Sequence, residues 1–185
     1  MRAASVPILL LDGVSGEPRD AILTRGIGEP HLDDFERTWR PWLERFLARK
    51  PSVRQESRGW DWRKKVNSIT SLLAYPSFAV ESDGETQGLM IVNLTRYCEL
   101  PAQRSQPLVY VEFLETAPWN RSTLVATPRF KRVGNILIYT AVDLSLKEGF
   151  DGRIGLHSLP QSGAWYRDKC GMSDLGIDTR KEDLR

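Results

Sequence analysis

One apolar stretch, residues 136–146, constrains how this chain can fold more than any other. It is apolar nearly all round, which is typical of a helix that lies buried rather than on a surface. The β-rich stretch 108–115 precedes it, and the stretch 154–159 follows it and stops at Pro160. Because two strands joined through a helix run parallel when they share a sheet, the sequence predicts a parallel pair and a buried helix.

Helical periodicity appears twice in the first half of the chain. Apolar residues at gaps of three and four predict a helix over residues 32–47, interrupted at Pro41. The same spacing predicts a second helix over residues 62–73, with Asp61 available as its N-cap. Both helices are expected to turn one apolar face toward the core.

Strand and turn signals fill most of the remaining chain. Residues 15–30 are rich in Gly and Pro and predict a loop, whereas residues 162–169 predict a short helix ended by Gly171. The dipeptide Asp83-Gly84 is a strong hairpin signal between two apolar runs. The further strands are predicted over residues 6–11, 77–81, 88–94 and 175–177.

The composition narrows the class of protein. With 185 residues, 41% of them hydrophobic and 27% charged, the chain suits one globular domain over residues 1–185. A net charge of +2 is too small to indicate nucleic-acid binding. No apolar run is long enough for a membrane span, and no signal peptide is indicated. The two cysteines lack metal-ligand spacing, so we expect a cytoplasmic protein without a bound metal.

Basic residues and one glycine stand directly before the buried helix, in the order Arg129, Lys131, Arg132 and Gly134. The start of a helix offers unpaired N–H groups and the positive end of its dipole, which together favour an anion. The side-chain charges would strengthen that attraction. We interpret the segment as a phosphate cradle, and the alternative is a solvated basic surface.

A second basic segment, residues 54–65, interleaves Trp60 and Trp62 with arginines and lysines. Such a mixture could form a patch for an acidic or nucleic-acid partner. The interpretation that we prefer is a solvated helix start whose tryptophans pack inward. The segment could also form one wall of a substrate groove.

The order of elements and these residues together resemble the GNAT superfamily of acyl-CoA-dependent N-acyltransferases. The cofactor signature of that superfamily, Q/R-x-x-G-x-G/A, opens a helix, and Arg129, Arg132 and Gly134 stand at its three positions. The resemblance covers roughly the second half of the chain. It continues through residues 155–160, 165–166 and 170–172.

The resemblance implies an α+β (α/β) fold with a mixed, mostly antiparallel central sheet, a parallel pair at the centre of that sheet, and flanking helices. It also implies acetyl-CoA as co-substrate. Tyr166 matches the tyrosine that protonates the departing thiolate in many members, and the alternative is a tyrosine that only packs its ring and bonds a loop carbonyl. The residues implied to bind the cofactor are Leu114, Glu115 and Thr116 along the pantetheine arm, and Arg129, Lys131, Arg132, Val133, Gly134 and Asn135 around the pyrophosphate.

The general base must accept a proton from the attacking amine. Along the predicted strand, alternation places Glu112 with Leu114, and Glu115 on the opposite face. A carboxylate on an apolar strand is costly unless it is functional or paired. We expect Glu112 to be the base and Glu115 to be the second choice, while pairing with an arginine is the alternative for either. His157 is a further candidate, since neutral imidazole is a competent base near pH 7.

Three features depart from the superfamily pattern. Arg132 stands where a glycine is usual, and Leu159 stands where an asparagine is often found seven residues before the tyrosine. About ten residues, 119–128, are inserted between the strand and the phosphate loop, where typical members run straight through. This insertion is expected to shape the acceptor pocket.

The resemblance implies transfer of an acetyl group from acetyl-CoA to a primary amine. We expect direct attack within a ternary complex, because neither Cys98 nor Cys170 lies where a covalent acyl carrier is expected. A non-catalytic acyl-CoA-binding regulatory module on the same fold is the alternative. The sequence does not identify the amine acceptor, and it leaves a homodimer open.

Overall fold

The computed structural model describes residues 4–181 and 184–185. Within these residues, one sheet contains seven strands. They are β1 Ser5–Asp12, β2 Pro18–Arg25, β3 Ser77–Ser82, β4 Glu85–Tyr97, β5 Pro107–Thr116, β6 Phe130–Lys131 and β7 Ile154–Leu156. Their order across the sheet is β6-β1-β2-β3-β4-β5-β7.

All neighbouring strands are antiparallel except β5 and β7, which run parallel. The mixed sheet and its parallel pair are therefore confirmed. The pair lies at the β7 end of the sheet, however, and not at the centre as predicted. No strand forms over residues 175–177 to extend the sheet beyond β7, and a single bridge between Asp178 and Leu184 is found nearby instead.

The predicted loop over residues 15–30 is wrong in its middle part, because β2 pairs along the whole of β1. The Gly and Pro residues that indicated a loop lie at the two ends of this strand. Ala21 is buried and Leu23 packs against the same core, which is the alternation of a half-buried strand.

Five α-helices accompany the sheet in the described part of the chain. Pro41 lies in the first turn of the second helix, where its missing N–H costs little, and a π-helical turn over Phe35–Trp39 precedes it. Asp61 caps the third helix by accepting a hydrogen bond from the Lys64 amide at 2.9 Å, as predicted. The helices are α1 Glu29–Asp34, α2 Arg40–Arg49, α3 Trp62–Ile69, α4 Val133–Lys147 and α5 Gly163–Cys170.

The helices cover the two faces of the sheet. None of the described helices is both long and apolar enough to span a membrane. On one face α4 packs in what we call the α4 cluster, whose buried members include Val80, Met90, Val92, Val109, Val111 and Leu137. On the other face lies the α1–α3 cluster, which includes Leu32, Phe35, Trp39, Trp62, Leu89 and Ile91.

A β-bulge interrupts the pairing of β4 with β5. Ile91 lies opposite Phe113, but the next residue of β4, Val92, lies opposite Val111. Glu112 is therefore the extra residue of the bulge. An extra residue bends a strand and shifts the alternation of its side chains by one position.

The bulge overturns the predicted distribution of the two glutamates. After it, Leu114 packs against the α4 cluster, whereas Phe113 packs against the α1–α3 cluster. The carboxylate of Glu115 binds Trp62 on this second face. Glu112 accepts a hydrogen bond from Asn93, whose amide also contacts Tyr75 of the α1–α3 face. Glu112 and Glu115 thus share one face, and Leu114 lies on the other.

Gly88 on β4 allows the start of α4 to lie close to the sheet. A Cβ atom at this position would lie 2.7 Å from Cγ1 of Val133 and 3.0 Å from Cδ1 of Leu137. Both distances are shorter than ordinary packing contacts. A side chain at position 88 would therefore have to displace the side chains of Val133 and Leu137 in the first two turns of the helix.

We predict that Gly88→Ala lowers the free energy of unfolding by about 1–3 kcal/mol, because the added methyl group must displace α4. Denaturant titration measures this loss. Gly59→Ala is the matched control: nothing lies within 4 Å of its added Cβ, so a change within about 0.5 kcal/mol is expected. Equal stability of Gly88→Ala and the unsubstituted protein would contradict the close packing.

Candidate functional site

The helix α4 begins with an arginine in a conformation that usually belongs to glycine. Arg132 has a φ angle of 72°, and its carbonyl accepts the first helical hydrogen bond from Ile136 at 3.0 Å. A left-handed backbone costs a non-glycine residue about 1–2 kcal/mol. Arg132 occupies the signature position of the missing glycine and adopts the backbone shape that glycine would supply.

Three N–H groups at the start of α4 are open. Within the described residues, the amides of Val133, Gly134 and Asn135 have no hydrogen-bond acceptor. A Cβ at Gly134 would lie 3.3 Å from the ring of Trp165 and 3.9 Å from Cγ2 of Thr116. The open amides therefore lie beside the end of β5 and beside α5.

The segment before α4 is held at three points. Gly13 donates to the carbonyl of Arg129 at 2.8 Å, and Arg129 donates to the carbonyl of Trp119 at 3.0 Å. The amide of Phe130 donates to Oδ1 of Asn120 at 2.9 Å. The insertion over residues 119–128 thus begins with two residues that fix the loop before α4.

The basic residues that were predicted to surround the pyrophosphate differ in whether their charge is already paired. The guanidinium of Arg129 pairs with Glu85 and, at 3.3 Å, with Asp83, both near the turn between β3 and β4. Lys131 and Arg132 are exposed, and neither has an ion-pair partner in the described part of the chain. The structure therefore brings Lys131 and Arg132 to the open amides with free charges, while the charge of Arg129 is already paired.

The parallel pair leaves a slot beside the second half of β5. The two strands pair only where Val109–Val111 face Ile154–Leu156. After β7 the chain turns away, and the amide of Ser158 donates to the carbonyl of Arg185 instead. No strand among the described residues covers the β7 side of β5 at Leu114, Glu115 and Thr116.

Tyr166 on α5 lines a cavity of about 1310 Å³ together with Asn135. Its ring packs on the α4 cluster and lies edge-on to Trp165, with ring centroids 4.9 Å apart. Burial raises the pKa of its phenol well above the ordinary value, and nearby Cys170 adds to the rise. Among the side-chain hydrogen bonds of the described residues, none involves this hydroxyl, so the bond to a loop carbonyl that the alternative would require is not seen there.

Glu112 and Glu115 have different surroundings. Glu112 is half-buried and accepts one hydrogen bond, from Asn93 at 2.9 Å. Glu115 is 5% exposed, and its two oxygens accept hydrogen bonds from Trp62 at 2.6 Å and Arg121 at 2.7 Å. The side chain of Glu115 is therefore occupied by a buried ion pair, whereas that of Glu112 retains acceptor capacity.

Arg121 is a site residue that sequence reasoning did not single out. Besides Glu115, its guanidinium donates to the carbonyl of Thr116 at 2.8 Å and to Oε1 of Gln55 at 3.2 Å. It therefore joins the end of β5 to the segment before α3. The available signal was its place in the insertion combined with the glutamate that had to be paired on β5.

His157 lies in a chain of three side chains. Its Nδ1 is 2.6 Å from the hydroxyl of Tyr110, and its Nε2 is 3.2 Å from Oδ2 of Asp178. Hydrogen bonds from Arg180 hold the pKa of Asp178 below its usual range. In the neutral tautomer with its hydrogen on Nε2, this nitrogen donates to the carboxylate and Nδ1 accepts from Tyr110. Burial raises the pKa of Tyr110 to about 12.

No protein-family model matches the chain, and no curated protein matches it by sequence. Solved structures do match. The aminoglycoside N-acetyltransferase AAC(6')-Iy in complex with CoA is 16% identical, with a TM-score of 0.54, over 84% of this chain and 94% of that one.

Two further structures agree over most of their length. Glucosamine-6-phosphate N-acetyltransferase from Arabidopsis thaliana is 14% identical over 86% of this chain and 95% of its own, with a TM-score of 0.51. A transcriptional regulator from Bacillus halodurans is 14% identical over 85% and 96%, with a TM-score of 0.57. At these identities the likeness establishes the architecture alone: the chain has the GNAT fold.

Proposed function

We propose that residues 1–185 form one cytoplasmic N-acetyltransferase domain that moves the acetyl group of acetyl-CoA to a primary amine. The observation that carries this proposal is the set of open amides at the start of α4, which lies directly beside the uncovered edge of β5. A pyrophosphate needs N–H donors and positive charge, and an extended pantetheine arm needs an uncovered strand edge. The two requirements meet at Thr116 and Gly134.

The cofactor would lie along this continuous surface. Its pyrophosphate would accept hydrogen bonds from Val133, Gly134 and Asn135, with the charges of Lys131 and Arg132 beside it. Its pantetheine arm would pair with the backbone of Leu114–Thr116 in the manner of an added strand. CoA in the structure of AAC(6')-Iy supports a CoA ligand for this fold.

The proposed reaction uses one side chain from each face of the sheet. The neutral amine attacks the thioester carbonyl, Glu112 accepts the proton that the nitrogen loses, and Tyr166 donates a proton to the departing thiolate. A phenol is protonated at neutral pH at its ordinary pKa of about 10, and burial raises the pKa of Tyr166 further, so the proton to be donated is present. The Tyr110–His157–Asp178 chain is the second candidate for the proton acceptor.

Direct transfer remains the proposed order of events. Burial raises the pKa of the Cys170 thiol, which disfavours the thiolate that an acyl carrier would require. Cys98 hydrogen-bonds to Gln103, in the linker between β4 and β5.

The cradle is tested by Gly134→Glu. We predict that this variant binds acetyl-CoA at least ~100-fold more weakly by isothermal titration, because a carboxylate would repel the pyrophosphate and its stem would meet Trp165. Arg132→Gly is the control: it keeps the backbone shape, and the loss of one exposed charge should cost no more than about tenfold in affinity. Unchanged binding by Gly134→Glu would remove the cradle from the proposal.

Turnover is tested by thiol release from acetyl-CoA across a panel of primary amines. We predict that Tyr166→Phe lowers kcat about 100-fold or more while acetyl-CoA affinity stays nearly constant, since only the proton donor is lost. Tyr139→Phe, an exposed tyrosine on α4 that borders the same cavity, should keep full activity. Binding of acetyl-CoA without turnover of any amine would support the non-catalytic module instead.

Substitution of the two glutamates should have different effects, one on activity and the other on stability. Glu112→Gln should lower kcat/KM at least ~100-fold and leave the free energy of unfolding nearly unchanged. Glu115→Gln should lower the free energy of unfolding by about 3–5 kcal/mol, because it leaves the charge of Arg121 unpaired in a buried site. Full activity of Glu112→Gln would transfer the role to the Tyr110–His157–Asp178 chain, which His157→Gln then tests.

A further inference from the structure

Lys65 on α3 holds its ammonium group against two aromatic rings. Its Nζ lies 3.3 Å from the ring centroid of Phe113 and 4.8 Å from that of Trp60. The side chain is half-buried, and within the described residues its Nζ has no ion-pair or hydrogen-bond partner. Its neighbour Lys64 is exposed. One lysine of the basic segment thus faces inward, and the adjacent one faces solvent.

The partial burial of Lys65 makes its neutral amine easier to form than that of an exposed lysine. Burial lowers its pKa, and the negative charges of Glu115 and Asp61 oppose that shift only in part. The oxygens of Glu115 are already occupied by Trp62 and Arg121. A neutral primary amine is a nucleophile, whereas an ammonium ion is not.

The position of Lys65 follows the proposed course of the cofactor. The pyrophosphate end lies where Gly134 meets Thr116, and the arm runs back along β5 through Leu114. The thioester end therefore lies toward Phe113, the next residue along the strand. Lys65 contacts the ring of Phe113 on the face of the sheet that also carries Glu112.

We propose that Lys65 is itself an acetyl acceptor, modified in cis by acetyl-CoA bound to the same chain. This inference rests on the proposed function. The Nζ atom attacks the thioester carbonyl, so that an N–C bond forms and the C–S bond breaks. The proton that the nitrogen loses is balanced by the one that CoA gains, and the products are acetyl-Lys65 and free CoA thiol.

The modification would also regulate the site. An acetylated Lys65 is neutral and longer, and it remains beside Phe113 and Trp60, where an incoming amine must approach. Self-acetylation would therefore slow transfer to other amines. The aromatic contacts would hold the acetyl group by apolar packing in place of the cation–π attraction.

The experiment incubates the full chain with acetyl-CoA alone and follows the mass of one added acetyl group by intact-protein and peptide mass spectrometry. Lys65 should be acetylated at least ~10-fold faster than Lys64, because a positioned nucleophile gains effective concentration. The rate should not depend on protein concentration. Lys65→Arg should abolish the fast modification, and the matched control Lys64→Arg should retain it.

The variant Gly134→Glu and a binding titration keep the outcomes distinct. Loss of Lys65 acetylation in Gly134→Glu, with slow labelling of Lys64 unchanged, would support reaction from the bound cofactor. Equal labelling of Lys65 in that variant would show bulk chemical acetylation and overturn the inference. Acetyl-CoA binding without label at Lys65 would overturn this inference only, whereas absence of binding would overturn the proposed function as well.

Discussion

The buried ion pair between Glu115 and Arg121 is the interaction on which the site depends. A carboxylate that is 5% exposed requires a partner, and Arg121 meets this requirement while also binding the carbonyl of Thr116 and the side chain of Gln55. The Trp62 indole donates a hydrogen bond to the other oxygen of the Glu115 carboxylate. These groups come from three segments of the chain. The ion pair therefore fixes the end of β5, the inserted loop and the start of α3 relative to one another.

The bulge at Glu112 determines which side chains meet at the slot. Without it, Glu112 and Glu115 would lie on opposite faces, and the aromatic face would carry only one of them. With it, Glu112, Phe113 and Glu115 all face α1–α3, while Tyr166 packs against the α4 cluster on the other face. The proposed proton acceptor and proton donor therefore lie on opposite faces of the sheet, as the proposed transfer requires of two groups that act on different atoms.

The loop before α4 keeps a left-handed backbone conformation at position 132 although an arginine stands where the superfamily signature has a glycine. Arg132 replaces a glycine but has a φ angle of 72°, so three amides at the start of α4 remain open. The local cost is offset by the surrounding anchors, which hold the loop against Trp119, Asn120 and Gly13. The replacement of the usual asparagine by Leu159 has no such compensation in the structure.

The sequence by itself determined the hairpin at Asp83-Gly84, the cap of α3, the helix α4 and the parallel pair, because each follows from local turn chemistry, from periodicity within one segment or from the order of strand, helix and strand. The expectation that α4 is buried nearly all round is wrong on one side, where Tyr139 and Leu146 are exposed. The sequence also placed Arg132 and Gly134 at the start of α4 and Tyr166 on α5. Only the tertiary structure decided that β2 fills the predicted loop, that Glu115 is paired rather than free, and that Lys65 turns inward. These depend on contacts between residues far apart in the chain, such as the 53 positions between Trp62 and Glu115, and no local pattern specifies them.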